Sequence, residues 1–167
     1  MEEWQFVKWE SEKFLKNTDV LQMVHTMRKG EGKMLENLRL IGCGGCLYVA
    51  VELLYRGRSH ASMFLAGGVC FWLIGLLDEV WPMAPMSVQM ALGAWMIVCV
   101  EFLTGLIVNR WLKLGVWDYS GMRHNLMGQI CLPFVACWTV LAGAAVLADD
   151  LLRLLLFGER FQLPVLF

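Results

Sequence analysis

The sequence predicts an all-α fold, a polytopic membrane bundle of about four transmembrane helices with an N-terminal amphipathic helix. Of the 167 residues, 58% are hydrophobic and 17% charged, whereas about a quarter of the residues in soluble domains are charged. The hydrophobic residues also gather into runs near the length of about 20 residues that a helix needs to cross the hydrocarbon core. The runs are 38–55, 63–77, 88–108 and 127–146. We therefore expect a multi-pass protein of the cell membrane.

The first 37 residues mix aromatic and aliphatic side chains with charged ones. Val7 and Phe14 are seven residues apart, which is typical of one face of an amphipathic helix. Such a helix either lies on the membrane surface, with its tryptophans at headgroup depth, or docks on the bundle from the cytosol. Gly30 and Gly32 are expected to end this helix before the first apolar run.

The connections between the runs differ in length and character. Residues 56–62 form so short a link that the first two helices must be antiparallel neighbours. The second run is short, and it spans a membrane only if flanking polar residues continue its helix. The link 109–126 is long and partly apolar, and the residues after 147 predict a short amphipathic interfacial tail. The predicted domains are therefore 1–37, 38–147 and 148–167.

Four spans would place the links 56–62 and 109–126 on one membrane side and residues 78–87 on the other. Lys and Arg in the first two links favour the cytoplasm for that side. The basic residues just before the first run favour the opposite orientation. The orientation stays open, and a chain that inserts both ways as an antiparallel homodimer is one alternative.

Two carboxylates interrupt the apolar runs. An ionised group at the centre of a membrane helix costs about 2.5 to 3.5 kcal/mol, so each needs a partner or a role. Glu52 lies four residues before Arg56, a spacing that favours an ion pair, whereas Glu101 has no such neighbour. The polar residues of both links converge on the same end of the bundle. The predicted substrate-binding residues are Glu52, Arg56, Arg58, His60, Glu101, Asn109, Trp117, Asp118, Tyr119, Ser120, Asn125 and Gln129.

We refer to these twelve residues as the vestibule residues. A different interpretation is purely structural. Glu52 would then pair with Arg56, Glu101 would bond a neighbouring helix, and the other polar groups would be ordinary loop residues.

Other functions have less support in the sequence. A net charge of −1 gives no basic excess for binding nucleic acid. His60 and His124 lack the spacing of metal-binding motifs, and no pattern predicts catalytic residues or a cofactor. The six cysteines lie in apolar runs, where packing is a more natural role than disulfide bonding. The glycines around Lys33 do not form a phosphate-binding loop.

Three segments resemble a known family. They are Glu-Phe-Leu-Thr-Gly at 101–105, Val-Trp-Asp-Tyr-Ser at 116–120 and Asn-Leu-Met-Gly-Gln-Ile-Cys-Leu at 125–132, followed by Trp138. In order and spacing they resemble the ABC-transporter permease family called type IV, and also the animal transmembrane protein 229 group. The resemblance covers about residues 40–143. It implies a permease-like fold and, since the chain has no ATPase motif, a separate ATPase subunit as partner.

The leading hypothesis is a small permease-like protein that binds or transports a polar solute, ion or lipid headgroup through a one-sided polar vestibule. A membrane enzyme acting on a lipid or isoprenoid headgroup is the first alternative, although the sequence favours a non-enzymatic role. A structural or regulatory subunit of a membrane complex is the second. Glycines in the first three runs permit close helix packing, within the bundle or in a homodimer.

Overall fold

The computed structural model describes residues 18–81 and 83–159, in which the chain forms four long helices and a small β-hairpin. The mainly helical architecture predicted from the sequence is confirmed, whereas the hairpin was not predicted. We number the helices α1 to α4 and the strands β1 and β2. They are α1 (Thr18–Arg56), α2 (Ala61–Val80), α3 (Met86–Gly105) with a π-helical continuation (Leu106–Trp111), β1 (Asn125–Leu126), β2 (Ile130–Cys131) and α4 (Leu132–Phe157).

The chain divides into two compact units, Met1–Leu38 and Arg39–Phe167. In the first unit the described residues belong to α1, and the predicted amphipathic positions Val7 and Phe14 lie outside the described part of the chain. The predicted helix end at Gly30 and Gly32 is wrong, because α1 continues through both. A glycine costs only about 1 kcal/mol in a helix interior, and strong helix formers flank this pair.

The core of the second unit lies between α2, α3 and α4. It is a cluster of six buried residues, Cys70, Ile74, Ile97, Trp138, Ala142 and Val146. Gly93 of α3 lies directly against this cluster, where a Cβ atom would come within 2.9 Å of the Ala142 Cβ. Small residues therefore allow these helix backbones to approach closely, as the sequence predicted.

α1 packs against α2 through glycines on both helices. A Cβ atom at Gly45 would lie 2.6 Å from the backbone oxygen of Phe64, closer than real Cβ atoms approach. Similar contacts join Gly44 to Phe71, Gly67 to Tyr48 and Gly68 to the carbonyl of Ile41. The backbones of α1 and α2 are therefore so close that an added Cβ atom at any of these four glycines would clash.

Two helical segments, Lys29–Arg56 and Met86–Trp111, are long and apolar enough to cross a membrane, and α2 contributes the shorter apolar stretch Ala61–Leu77. Only 22% and 33% of the residues in the two apolar windows are buried. Their apolar side chains therefore need an environment other than a soluble core. This supports a membrane protein, and the predicted number of four spans stays a prediction.

The fourth apolar run begins as a hairpin rather than as a helix. β1 and β2 pair antiparallel, with Asn125 opposite Cys131, and α4 begins only at Leu132. Met127 and Gly128 connect the strands with φ angles of 54° and 71°. Because positive φ is incompatible with a right-handed helix, the predicted helix start at 127 lies five residues too early.

Replacing Gly45 by Ala tests the close approach of α1 and α2. We expect the Gly45→Ala substitution to destabilise the protein by about 1 to 3 kcal/mol, because the new methyl group meets backbone that cannot move aside. Thermal melting followed by circular dichroism in detergent would measure the loss. Gly42→Ala on the same helix is the matched control, since no atom lies within 4 Å of an added Cβ there. Equal melting temperatures for the two variants would contradict the packing described here.

Candidate binding site at one end of the bundle

Glu52 is a buried carboxylate, and each of its two oxygens accepts a hydrogen bond. It is 7% exposed and accepts hydrogen bonds from the Arg56 guanidinium and the Ser59 hydroxyl. The pair joins successive turns at the C-terminal end of α1, at the spacing seen in the sequence. Glu52 is therefore neutralised within its own segment of the chain.

Arg58 and His60 follow this pair and are both exposed. The ring Nδ1 of His60 accepts a hydrogen bond of 3.2 Å from the backbone N–H of Ser62. This bond satisfies one of the free N–H groups at the start of α2, for which His60 is the N-cap residue. In this structure His60 thus has a local structural role.

Glu101 is a buried carboxylate of a different kind. It is 6% exposed on α3, and its Oε1 accepts a long hydrogen bond of 3.4 Å from the hydroxyl of Tyr119. Its Oε2 is buried without a hydrogen-bond partner among the described residues. It interacts electrostatically with both Glu52 and Arg56, so the two carboxylates lie at the same end of the second unit.

A cavity of about 220 Å³ reaches Glu101. Its walls come from α1, α2, α3, α4 and the segment that follows α3. Glu101 is the only charged residue among the described residues that line it. The lining includes Tyr48, Phe71, Ile74, Ile97, Thr104, Trp117, Leu141 and Ala145. A single acidic residue therefore lies in the wall of a largely apolar space.

Gln129 anchors the segment that connects α3 to α4. It is 5% exposed, and its Oε1 accepts a 2.9 Å hydrogen bond from Asn109. The indole N–H of Trp117 donates to the backbone oxygen of Gln129 at 2.9 Å. The side chain also packs on Gly105, where a Cβ atom would lie 2.5 Å from the Gln129 Oε1. Three vestibule residues, Asn109, Trp117 and Gln129, thus hold the connecting segment against α3.

The polar residues of the connecting segment mainly bond one another. Asp118 accepts hydrogen bonds from the Ser120 backbone N–H at 2.8 Å and the Ser120 hydroxyl at 2.9 Å. These bonds lower the pKa of the exposed Asp118 carboxyl below its usual value. Asn125 donates to the Met122 carbonyl at 2.7 Å and accepts from the Gly128 N–H at 2.9 Å. Asp118, Ser120 and Asn125 are not among the residues that line the cavity.

Tyr119 connects this segment to both α4 and Glu101. Its ring lies 5.0 Å from that of Phe134, which also contacts Tyr55 at the end of α1 at 6.4 Å. Burial, reinforced by the nearby Glu101 carboxylate, raises the pKa of the Tyr119 phenol. The phenol therefore stays protonated and can donate to Glu101. These contacts place the end of α1 and the connecting segment at the same end of the second unit.

A second buried ion network was missed by sequence reasoning. Arg153 of α4 is 6% exposed; its Nε donates to Asp149 at 2.6 Å and its Nη1 to Glu79 at 2.5 Å. Burial lowers the pKa of Arg153, but the hydrogen bond and charge of Asp149 outweigh it and raise that pKa overall. The spacing of four between Asp149 and Arg153 is the same signal that identified Glu52 and Arg56.

The predicted tail, residues 148–167, contains Asp149 and Arg153 of this network, whereas Glu79 belongs to α2. α4 continues through position 148 to Phe157. Asp149 and Asp150 are 2% and 7% exposed, respectively. The acidic pair therefore belongs to the helical bundle of the second unit.

The anchoring role of Asn109 can be measured with a double-mutant cycle. We expect Asn109→Ala to cost about 1 to 2 kcal/mol, because it removes two hydrogen bonds, to Gln129 and from the Val116 N–H. The combined loss with Gln129→Ala should be non-additive, since the residues share one bond. The exposed neighbour Arg110 supplies the control, and Arg110→Ala should stay within about 0.5 kcal/mol of wild type. Strict additivity in detergent melting experiments would argue against the anchor.

A second prediction concerns the contribution of the Glu52–Arg56 ion pair to stability. Glu52→Gln should destabilise the protein by about 1 to 3 kcal/mol, because it leaves a largely buried guanidinium without its counter-charge. Adding Arg56→Gln should restore part of the loss by removing that unpaired charge. Melting temperatures of the three proteins in the same detergent would show the order. A double variant less stable than Glu52→Gln alone would be incompatible with an ion pair.

Comparison with known proteins places the chain in a family. Residues 42–153 match the family described as "Putative ABC-transporter type IV". The match contains all twelve vestibule residues, including the anchor Gln129. A search of curated proteins and a search of solved structures each found no match. A relation to the transmembrane protein 229 group stays a prediction. The match to the ABC-transporter type IV family covers more than half of the chain, and the chain therefore belongs to that family.

Proposed function

We propose that this protein is a multi-pass, permease-like protein of the cell membrane that binds, and carries across the bilayer, a ligand whose polar group is held at Glu101. The observation that supports this most directly is that Glu101 lines the cavity while its buried Oε2 has no hydrogen-bond partner among the described residues. A buried acceptor without a partner is costly, and an ionised carboxylate more so. A ligand that donates to Glu101 would remove that cost.

The surroundings of Glu101 fit a binding site better than a structural contact. The cavity leaves space beside the carboxylate, and Thr104 and Tyr48 add hydroxyl groups to its wall. Trp117, which lines the same space, is held in place by its bond to Gln129. The ligand would therefore meet a fixed aromatic wall and one charged group, a common composition for small-molecule sites.

The membrane setting is supported by the family and by the two long apolar helical segments. Large apolar side chains are also exposed on the second unit, among them Leu54 at 89%, Val140 at 69% and Trp95 at 67%. Contact with lipid would cover these surfaces. If transport uses ATP, a separate ATPase subunit would supply it, because the sequence contains no phosphate-binding loop. We also propose a homodimer, because glycines in the apolar runs permit close helix packing.

Reconstitution of the full-length protein tests the proposal. Vesicles of phosphatidylethanolamine and phosphatidylglycerol would report headgroup movement with NBD-labelled phosphatidylethanolamine and dithionite. Entrapped pyranine would report proton movement, and swelling in sorbitol would report neutral solutes. We expect at least one signal to be faster with wild type than with Glu101→Gln by about tenfold, the loss of one hydrogen bond to a charged group.

Glu159→Gln is the control, because it also removes one negative charge but lies outside the cavity lining. Circular dichroism would confirm equal folded fractions. Native mass spectrometry of the purified protein would detect a ligand that wild type retains and Glu101→Gln loses. Wild-type vesicles no faster than protein-free vesicles would overturn unaided transport. Absence of any retained ligand that depends on Glu101 would overturn binding at this position.

A further inference from the structure

We propose that the cavity at Glu101 binds a monocationic amphiphile, a single ammonium group joined to a short hydrocarbon, with the ammonium against the Glu101 carboxylate. This inference rests on the proposed function, since it names the ligand class of the same site. Charge, wall chemistry and volume each contribute an independent argument.

The charges at this end of the bundle favour a ligand with one positive charge. Glu52 is paired with Arg56, whereas Glu101 makes no ion pair with any described residue and has only the neutral Tyr119 as a hydrogen-bond donor. An ammonium group beside Glu101 would favour the ionised form of this carboxyl, and in that form the three groups carry an excess of one negative charge. A ligand with a single ammonium group would neutralise this excess and would also supply an N–H donor to Oε2.

The aromatic residues of the wall favour the same ligand. Tyr48, Phe71 and Trp117 all line the cavity that contains Glu101. Aromatic faces attract ammonium groups through the negative potential above the ring, and Trp does so most strongly. Among the described lining residues there is no Lys or Arg to hold a phosphate or carboxylate. An anionic ligand would find no basic partner in this wall, and the ionised form of Glu101 would repel it.

The size and the apolar walls indicate the rest of the ligand. A cavity of roughly 150 Å³ lined by Leu, Ile and Phe holds a benzene molecule, and this one has about 220 Å³. Leu47, Ile74 and Leu141 contribute aliphatic wall. A short alkyl chain or one ring would regain the dispersion contacts that an empty cavity lacks. The site therefore fits a small amphiphile better than a fully hydrated ion.

Three ligands that share one alkyl chain separate the contribution of the headgroup charge from that of the hydrocarbon. Isothermal titration of the full-length protein in lipid nanodiscs, corrected with empty nanodiscs, would compare octylammonium, octanol and octanoate at pH 7. We expect saturable octylammonium binding that is tighter than octanol binding by about tenfold or more, with no saturable octanoate binding. Octanoate binding as tight as octylammonium binding would overturn the inference.

Variants then identify the group responsible. Glu101→Gln should weaken octylammonium binding by about tenfold and leave octanol binding nearly unchanged. Glu159→Gln should change neither. Ala145→Leu, which fills the cavity, should weaken both ligands together. Octylammonium binding unchanged by Glu101→Gln would overturn the inference, and if that variant does not fold, the wild-type comparison of the three headgroups decides the matter.

The experiments also distinguish failure of the ligand class from failure of the proposed transport function. Flux of any vesicle probe that depends on Glu101, without octylammonium binding, would overturn only the ligand class. Octylammonium binding that depends on Glu101, without flux of any probe, would support the ligand class and overturn unaided transport.

Discussion

The hydrogen bonds made by Gln129 position the candidate site, because they attach the connecting segment to the end of α3. Its side chain accepts from Asn109 and packs on Gly105, while its backbone oxygen holds the indole of Trp117. This arrangement brings Trp117 to the cavity wall and Tyr119 to Glu101. Gly105 leaves room for it, since a Cβ atom there would lie 2.5 Å from the Gln129 Oε1 and displace the Gln129 amide. Local hydrogen bonding thus determines what Glu101 faces.

The buried charges of the second unit differ in how they are compensated. Arg153 has Asp149 and Glu79, and Glu52 has Arg56 and Ser59. A buried charge with its partners present is tolerable, although it is weak evidence for added stability. Glu101 has only one long hydrogen bond from a neutral phenol. A structural role alone would leave its buried Oε2 without a hydrogen-bond partner among the described residues, and this contrast distinguishes Glu101 as the functional candidate.

Sequence periodicity located the apolar helices well but could not locate every boundary. The first three runs correspond to parts of α1, α2 and α3, because hydrophobicity over such lengths reflects burial or lipid contact. The start of α4 was misplaced because residues 127–131 were included in the apolar run, whereas residues 125–131 form a hairpin with positive φ at Met127 and Gly128. A short apolar run carries no signal that separates strand from helix. At the site, spacing predicted the Glu52 pair, whereas the position of Glu101 in the cavity wall depends on tertiary packing.

The segments that resemble the family carry mainly scaffold information. Trp117, Asp118, Asn125 and Gln129 form the hydrogen bonds that fold the connecting segment, and Gly128 supplies its positive φ. A side chain at Gly128 would also crowd Asp118, whose Oδ1 would lie 2.8 Å from the new Cβ. The cavity wall, by contrast, draws much of its lining from α1 and α2, outside those segments. A shared motif of this kind therefore specifies how the connecting segment is built, while residues such as Tyr48 and Phe71 shape the cavity wall. Membership of the family consequently constrains the fold of this protein more strongly than its ligand.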